Sequence, residues 1–355
     1  METIHKIYFK NSSDMCELES KSIDLVITSP PYPMIEMWDP LFSSLNHEIK
    51  ESLENKNGKV AFNLMHKELN KVWSEVVRVL KVGGIVCINI GDATRKIGNN
   101  FQLFPNHVKI TNFFQNNYFT ELPCILWRKP TNSPNKFLGS GMLPPNAYVT
   151  LEHEYILIFR KGKVKRDIKP KSENRYRSAF FWEERNRWFS DVWDDIRGIS
   201  QNISEVYSTQ NNIRERSAAF PLEIPYRLIN MFSLYEDNVL DPFWGTGKTS
   251  LAAMISGRNS IGYEINFKFL DIFKKKMNNI KKLSFDINIS RIKQHINFIK
   301  KYINEFKDVK YNSVQYKFPV VTKQEIDILL YSIKSYNENK NEFILTYEKF
   351  KPDNN

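Results

Sequence analysis

The chain has 355 residues, 41% of them hydrophobic, so it can form a large core and is not globally disordered. Lys and Arg outnumber Asp and Glu by 51 to 40, which favours a nucleic acid partner over a membrane surface, although an AT-rich genome also raises lysine content. The three cysteines are far apart, so neither a disulfide framework nor a metal site is expected. Lacking a signal peptide and any apolar run of ~20 residues, the chain is predicted to be soluble and cytoplasmic.

Residues 1–162 are predicted to form the first half of an α/β domain. Runs of apolar and β-branched residues predict buried strands, and apolar residues at helical spacing predict one amphipathic helix. The predicted strands are Ile4–Phe9, Ile23–Ile27, Ile85–Ile90, Phe119–Trp127 and Glu154–Phe159, and the predicted helix is Leu69–Leu80. Between the last two strands lies a basic loop whose charges suit phosphate contacts.

A short polar and aromatic motif, Thr28-Ser29-Pro30-Pro31-Tyr32, follows the second predicted strand. The two prolines end the strand and fix their own φ angles, which predicts a stiff turn at the carboxyl end of a strand. In open α/β sheets, ligands bind at that edge. Unpaired carbonyls beside an aromatic ring suit a flat heterocycle that carries an amino group.

Two segments lack a recognised motif. Residues 163–216 interleave basic and aromatic side chains, as in Arg175-Tyr176-Arg177 and Arg187-Trp188-Phe189. Arginine suits phosphates and guanine edges and aromatic rings suit stacking, so we predict a target-recognition region here; a small core with arginines on its rim is the alternative. Residues 286–355 are predicted to form a basic, mainly helical extension.

A second motif, Asp241-Pro242-Phe243-Trp244-Gly245-Thr246-Gly247, lies within residues 217–285. It joins a predicted strand to a predicted helix, and a further strand ends at Glu264. Glycines at such a turn let the backbone approach a ligand closely. Gly247-Lys248-Thr249 looks like the end of a phosphate-binding P-loop, but the glycine required at position 242 is a proline, so an NTPase is not expected.

Together the two motifs resemble those of the β-group DNA amino-methyltransferases, over roughly the first 280 residues. The order, catalytic motif before cofactor motif, is that of the β group, and the serine form Ser29-Pro30-Pro31-Tyr32 is similar to that of enzymes methylating cytosine N4. The resemblance implies a Rossmann-like α/β fold, with a mixed, mostly parallel sheet, helices on both faces and a DNA-recognition insertion. It also implies S-adenosyl-L-methionine (SAM) as cofactor, double-stranded DNA as substrate, base flipping, and a cognate restriction endonuclease as a functional partner.

The resemblance also implies roles for individual residues. Ser29, Pro30, Pro31 and Tyr32 would be catalytic. The cofactor would be bound by Asp241, Pro242, Phe243, Gly245, Thr246, Gly247 and Glu264, with Phe220 and Pro221 at its methionine end and Asn11 near its adenine. The predicted DNA contacts are Arg128, Lys129, Lys136, Arg175, Arg177, Arg185 and Arg187.

Four other functions compete with this one. Adenine N6 methylation shares the fold, and adenine enzymes usually have Asp or Asn where this chain has Ser29. Cytosine C5 methylation requires a cysteine nucleophile, and Cys124 lies within an apolar strand. RNA methylation is less favoured. A non-catalytic DNA-binding protein would explain the charge but not the second motif.

Overall fold

A computed structural model describes residues 1–129, 138–196, 220–306 and 309–352. The strands, in chain order, are β1 (Glu2–Tyr8), β2 (Ile23–Thr28), β3 (Leu80–Ile90), β4 (Ala93–Ile97), β5 (Asn100–Phe104), β6 (Phe119–Arg128), β7 (Leu138–Gly139), β8 (Ala147–Tyr148), β9 (His153–Lys161), β10 (Val192–Trp193), β11 (Asn238–Asp241), β12 (Asn259–Tyr263), β13 (Tyr311–Asn312), β14 (Pro319–Val320), β15 (Tyr331–Asn339) and β16 (Glu342–Lys349). The helices are α1 (Asp39–Leu45), α2 (His47–Glu54), α3 (Gly58–Val79), α4 (Asn106–Asn116), α5 (Glu173–Arg177), α6 (Trp182–Trp188), α7 (Glu223–Phe232), α8 (Lys248–Ile255), α9 (Phe269–Met277) and α10 (Ile280–Phe306).

One mixed sheet of ten strands organises the fold, in the order β10-β6-β9-β3-β2-β11-β12-β1-β16-β15. Its centre, from β3 to β1, is entirely parallel. Strands β9 and β16 pair antiparallel to the two sides of this centre. Because both motifs follow neighbouring parallel strands, β2 and β11, they meet at the same edge of the sheet.

Helices cover both faces of this sheet, as predicted. Adjacent residues of β2 point to opposite faces, as the twofold period of a strand requires. Leu25 and Ile27 pack in a buried cluster with residues of α7, α8 and α9. Val26 packs in a second cluster with Trp73 of α3 and Phe114 of α4. All six residues of β2 are buried, which explains why four of them are apolar. Its two polar residues have partners: Asp24 accepts from Lys81 and from the Asn238 amide, and Thr28 donates to Asp241.

The described part of the predicted recognition region is joined to the rest of the molecule. Strand β10 adds to the sheet beside β6, and Trp188 and Trp193 are buried in the main core. Phe181 packs in a third cluster with Ile292 of α10 and Phe350. Arg291 of α10 forms a bidentate ion pair with Glu184 of α6, at 2.6 and 2.8 Å. These aromatic residues therefore pack in the main core and in the third cluster, and not in a separate small core.

The prediction of a mainly helical extension after residue 286 is correct for α10 but wrong for residues 331–349. These form the hairpin β15–β16, and β16 pairs with β1. Within this hairpin, buried apolar residues alternate with less buried ones only in β16, where Phe343, Leu345 and Tyr347 are buried. None of the helices that the described residues form combines the length and hydropathy needed to cross a bilayer.

Candidate active site

The turn after β2 holds the first motif at the carboxyl edge of the sheet. Pro30 and Pro31 are buried, whereas Ser29 and Tyr32 are half-buried. The Tyr32 ring lies on the backbone of Gly91, where a Cβ atom would be 3.1 Å from Cε2 of the ring. A side chain at position 91 would therefore press on the aromatic ring that the sequence assigned to the target base and shift it by a few tenths of an ångström.

The hydroxyl of Tyr32 is held by three side chains. It donates to Oε2 of Glu154 at 2.9 Å and accepts from Nδ2 of Asn89 at 2.8 Å. The Ser29 hydroxyl lies 3.2 Å from it. Burial, followed by the nearby Glu154 charge, raises the pKa of Tyr32 well above its usual value, so the phenol keeps its proton.

Glu154 and Asn89 are site residues that the sequence analysis missed. Glu154 is 8% exposed at the start of β9, and Asn89 is 3% exposed near the end of β3. Lys129 binds the other carboxylate oxygen of Glu154 at 2.7 Å. A carboxylate and an amide inside otherwise apolar strands were the available signal, because buried polar groups need partners.

A cavity of about 590 Å³ opens beside this turn and is shared by the two motifs. Ser29 and Pro31 line it on one side, and most of the predicted cofactor residues line it on the other. The predicted residues in its wall are Asn11, Phe220, Asp241, Pro242, Phe243, Gly245, Thr246 and Glu264. Pro30, Tyr32, Gly247 and Pro221 are outside its lining, and Pro221 borders a separate pocket with Arg187.

Asp241 connects the two motifs directly. Its Oδ1 accepts from the Thr28 hydroxyl at 2.6 Å and from the Phe243 amide at 3.1 Å. Its Oδ2 accepts from the Thr249 hydroxyl at 2.7 Å. Burial raises the pKa of Asp241 to about 6, against these hydrogen bonds, which lower it.

The turn between β11 and α8 depends on two glycines. Gly247 has φ +75°, and a Cβ atom there would lie 2.4 Å from the Phe273 ring. Gly245 has φ +51° and donates its amide to Glu264 at 2.9 Å. The second oxygen of Glu264 accepts from the Asn266 amide at 2.8 Å, and burial raises the pKa of Glu264. The carboxylate is thus fixed against the glycine turn.

Two polar groups in the cavity wall are poorly compensated. Oγ of Thr246 is buried and has no hydrogen-bond partner among the described residues. The ammonium group of Lys248, 8% exposed, donates to the Phe220 carbonyl at 2.7 Å. Burial lowers the pKa of Lys248 to about 7. Unmatched buried polar atoms are a physical sign of a ligand site.

The predicted DNA contacts differ in their surroundings. Arg175 and Arg185 are exposed, and Arg185 lies over the Phe189 ring. Three others are held by nearby side chains: Arg128 by Glu152, Arg177 by Glu173, and Arg187 by Gln294. Lys129 binds Glu154, the carboxylate that also holds the Tyr32 hydroxyl. Lys136 falls outside the described residues.

A cluster of Glu183, His295 and Glu325 has spacing compatible with a metal ion. Both ring nitrogens of His295 are already bonded, to Glu183 at 3.0 Å and to the Pro319 carbonyl at 3.0 Å. Glu325 accepts from the backbone amides of Trp182 and Thr322. The cluster therefore joins α6 and α10 to the segment before β15, and its ligand atoms serve hydrogen bonds.

Comparison with known proteins agrees with this geometry. The DNA methylase family N6_N4_Mtase matches residues 23–275. The type II methyltransferase M.MthZI of Methanothermobacter thermautotrophicus is 55% identical over 356 residues, covering 99% of this chain and 97% of the relative. M.MjaI of Methanocaldococcus jannaschii, also a type II methyltransferase, is 54% identical over 302 residues, covering 82% of this chain and 97% of the relative.

A solved structure extends the agreement to the fold. It is that of a protein from Thermus thermophilus, described as a putative DNA modification methylase and complexed with SAM. Its TM-score is 0.59 at 29% identity, and the match covers 78% of this chain and 94% of that one. On the length of the family match and the identity to curated relatives, this chain belongs to the N6/N4 DNA methylase family.

Proposed function

We propose that this DNA methyltransferase transfers the methyl group of SAM to the exocyclic N4 amine of a cytosine flipped out of duplex DNA. The observation that carries the proposal is the joining of the two motifs. Ser29 and the Asp241 turn line one cavity, and Thr28 donates to Asp241 at 2.6 Å. The serine in the first motif supports cytosine over adenine as the target base.

The cavity has the size and chemistry for SAM, which is the cofactor of this enzyme. Bound SAM supplies an electrophilic methyl group on a sulfonium ion. The Thr246 hydroxyl, which has no partner in the described part of the chain, and the carboxylates of Asp241 and Glu264 offer polar contacts, and Phe243 offers an aromatic face. We assign Glu264 and Phe243 to the adenosine, and Asp241 with Phe220 to the methionine end.

Beside the cavity, at the turn from Ser29 to Tyr32, the chain must hold a weak nucleophile. The cytosine amine lone pair is delocalised into the ring, so acceptors on its N–H groups favour a pyramidal nitrogen. Ser29 Oγ and the Pro30 carbonyl are the acceptors, and the Tyr32 ring stacks on the base. Positioning of this kind can lower the activation free energy by ~7–11 kcal/mol in favourable cases, so no covalent intermediate is needed.

The target base must leave the duplex to reach this turn, which requires contacts to the DNA backbone. Four exposed arginines are assigned to phosphates, together with the half-buried Arg177: they are Arg128, Arg175, Arg185 and Arg187. Two relatives are type II methyltransferases, which supports a restriction-modification system with a cognate endonuclease as functional partner.

The test is incubation of the purified protein with unmethylated DNA and SAM, followed by nucleoside mass spectrometry. N4-methylcytosine is the expected product. If N6-methyladenine forms instead, the family and cofactor assignments stand, but the choice of cytosine drawn from Ser29 is refuted. The Tyr32→Ala variant should lose turnover while binding SAM normally, and absence of any methylated base with wild-type protein would refute the proposal.

A further inference from the structure

We infer that Glu154 is a positioning residue that sets the direction of a hydrogen-bond chain ending at Ser29. In this chain, the Glu154 carboxylate accepts from Tyr32, Tyr32 accepts from Ser29, and Ser29 is left as an acceptor for the substrate amine. The inference rests on the proposed function, since it assumes that Ser29 faces an exocyclic amine.

The first step is the role of Glu154 as a hydrogen-bond acceptor. Its Oε1 lies 2.7 Å from the Lys129 ammonium, and its Oε2 lies 2.7 Å from Nδ2 of Asn89 and 2.9 Å from the Tyr32 hydroxyl. An ammonium group can only donate, and an ionised carboxylate can only accept. Lys129 therefore fixes Oε1 as an acceptor, and the amide nitrogen of Asn89 presents a donor to Oε2 as well.

The second step is the proton of Tyr32. A phenol has one proton, and because Glu154 offers only lone pairs, Tyr32 donates this proton to it. Asn89 is consistent with the same direction, since its amide nitrogen faces both oxygens at 2.7 and 2.8 Å. The reverse amide orientation would set the Asn89 carbonyl against a carboxylate, which is repulsive.

The third step is the hydroxyl of Ser29. Its oxygen lies 3.2 Å from Tyr32, whose single proton is already used, so Ser29 must donate in this pair. The Ser29 lone pairs are then free to accept from an amine N–H in the cavity that Ser29 lines. If these hydrogen bonds ran in the opposite direction, the Ser29 hydroxyl would point its proton towards the substrate amine, which itself donates.

Glu154→Gln is the substitution that reverses this direction with little change of shape. The Lys129 ammonium would attract the amide oxygen of the glutamine, and the amide nitrogen would then donate to Tyr32. We expect kcat to fall about 10- to 100-fold, the cost of a misdirected hydrogen bond to a reacting group. KM for SAM, and DNA binding by filter assay, should change less than about threefold, because neither depends on this proton.

Tyr32→Phe provides the matched background, because it removes the hydroxyl and keeps the ring. In that background, Glu154→Gln should cost less than about threefold in kcat, since the chain is already broken. A second rescue is specific to the direction: Lys129→Met frees the glutamine oxygen to face Tyr32, so the double variant Lys129→Met/Glu154→Gln should exceed Glu154→Gln alone in kcat by several-fold.

The experiment is the measurement of kcat and KM for these variants and the wild type, with SAM titration calorimetry and melting temperature as controls on the fold. Equal losses from Glu154→Gln in both backgrounds, or no loss in either, would overturn the inference while leaving the methyltransferase assignment intact. Absence of amine methylation by the wild type would overturn the proposed function and this inference together, so the two failures are distinguishable.

Discussion

Lowering the pH from 7.5 to 5.0 should weaken SAM binding about tenfold, through protonation of Asp241. Burial raises the pKa of this carboxyl to about 6 in the ligand-free protein. At pH 5 only about a tenth of the molecules then carry the charge, whereas at pH 7.5 almost all do. The proposed contact of Asp241 is with the methionine end of SAM, which carries a cationic amino group as well as a carboxylate. Ionised Asp241 should therefore bind this amino group better than the protonated form does.

The same pKa shift has a consequence for folding, and its sign is opposite to that of a salt-bridged acid. The pKa of Asp241 rises from its ordinary 3.8 to about 6, so the folded state binds this proton more tightly than the unfolded state. Stability from this group is therefore lost as pH rises from about 4 to about 6. At about 1.4 kcal/mol per pKa unit, the full cost above pH 6 is about 3 kcal/mol.

Asp241→Asn separates the two effects. The amide oxygen can still accept from Thr28 and the Phe243 amide, and the Thr249 hydroxyl can turn to accept from the amide nitrogen. We expect this variant to be more stable than wild type at pH 7.5 and to bind SAM weakly at every pH. Titration calorimetry at pH 5.0, 6.0 and 7.5, with urea unfolding at the same pH values, measures both.

Two results would refute this reasoning. A wild-type dissociation constant for SAM that stays the same between pH 7.5 and 5.0 would show that the charge of Asp241 does not matter for binding. An Asp241→Asn variant with the wild-type pH dependence would assign the titration to another group. Glu264 is the leading alternative, because burial raises its pKa as well.

Three further outcomes are expected. Gly262→Ala places a Cβ atom 2.2 Å from the Trp244 ring and should cost about 3 kcal/mol or more in urea unfolding, whereas Gly245→Ala, where the space is open, should cost about 1 kcal/mol. Arg291→Leu leaves the buried Glu184 carboxylate without its partner and should cost about 3–5 kcal/mol by the same assay. DNA affinity should fall about tenfold or more between 50 and 200 mM salt, and a flat response would refute phosphate contacts by the basic surface.

The sequence was sufficient to predict the two motifs, each at the end of a strand, because each is a local strand-to-turn pattern. Their meeting at one edge of the sheet follows from the pairing of β2 with β11. The sequence could not predict the bond between Thr28 and Asp241, which lie 213 residues apart. That contact depends on the register of β2 against β11, in which Val26 pairs with Leu240. Register is decided by packing across the whole sheet, and no short segment encodes it.

Glu154 was missed for a similar reason. It contacts Tyr32 across 122 residues, and only the antiparallel pairing of β9 with β3 brings it beside Asn89. The hairpin of residues 331–349 was missed because β15 is mostly exposed and polar after its third residue. A strand that is solvated on one face and paired with only one neighbour leaves a weak hydrophobic pattern.

The pairing of β16 with β1 also determines where the sheet can meet another chain. Without residues 331–349, β1 would present unpaired amides and carbonyls along an edge that begins Glu2-Thr3-Ile4, a template for strand addition by a second molecule. The hairpin moves this boundary outward to β15, whose outer half carries Asn337, Glu338 and Asn339 in exposed positions. Solvated polar side chains at this edge disfavour intermolecular strand pairing, so the hairpin should lower the tendency of the sheet to aggregate.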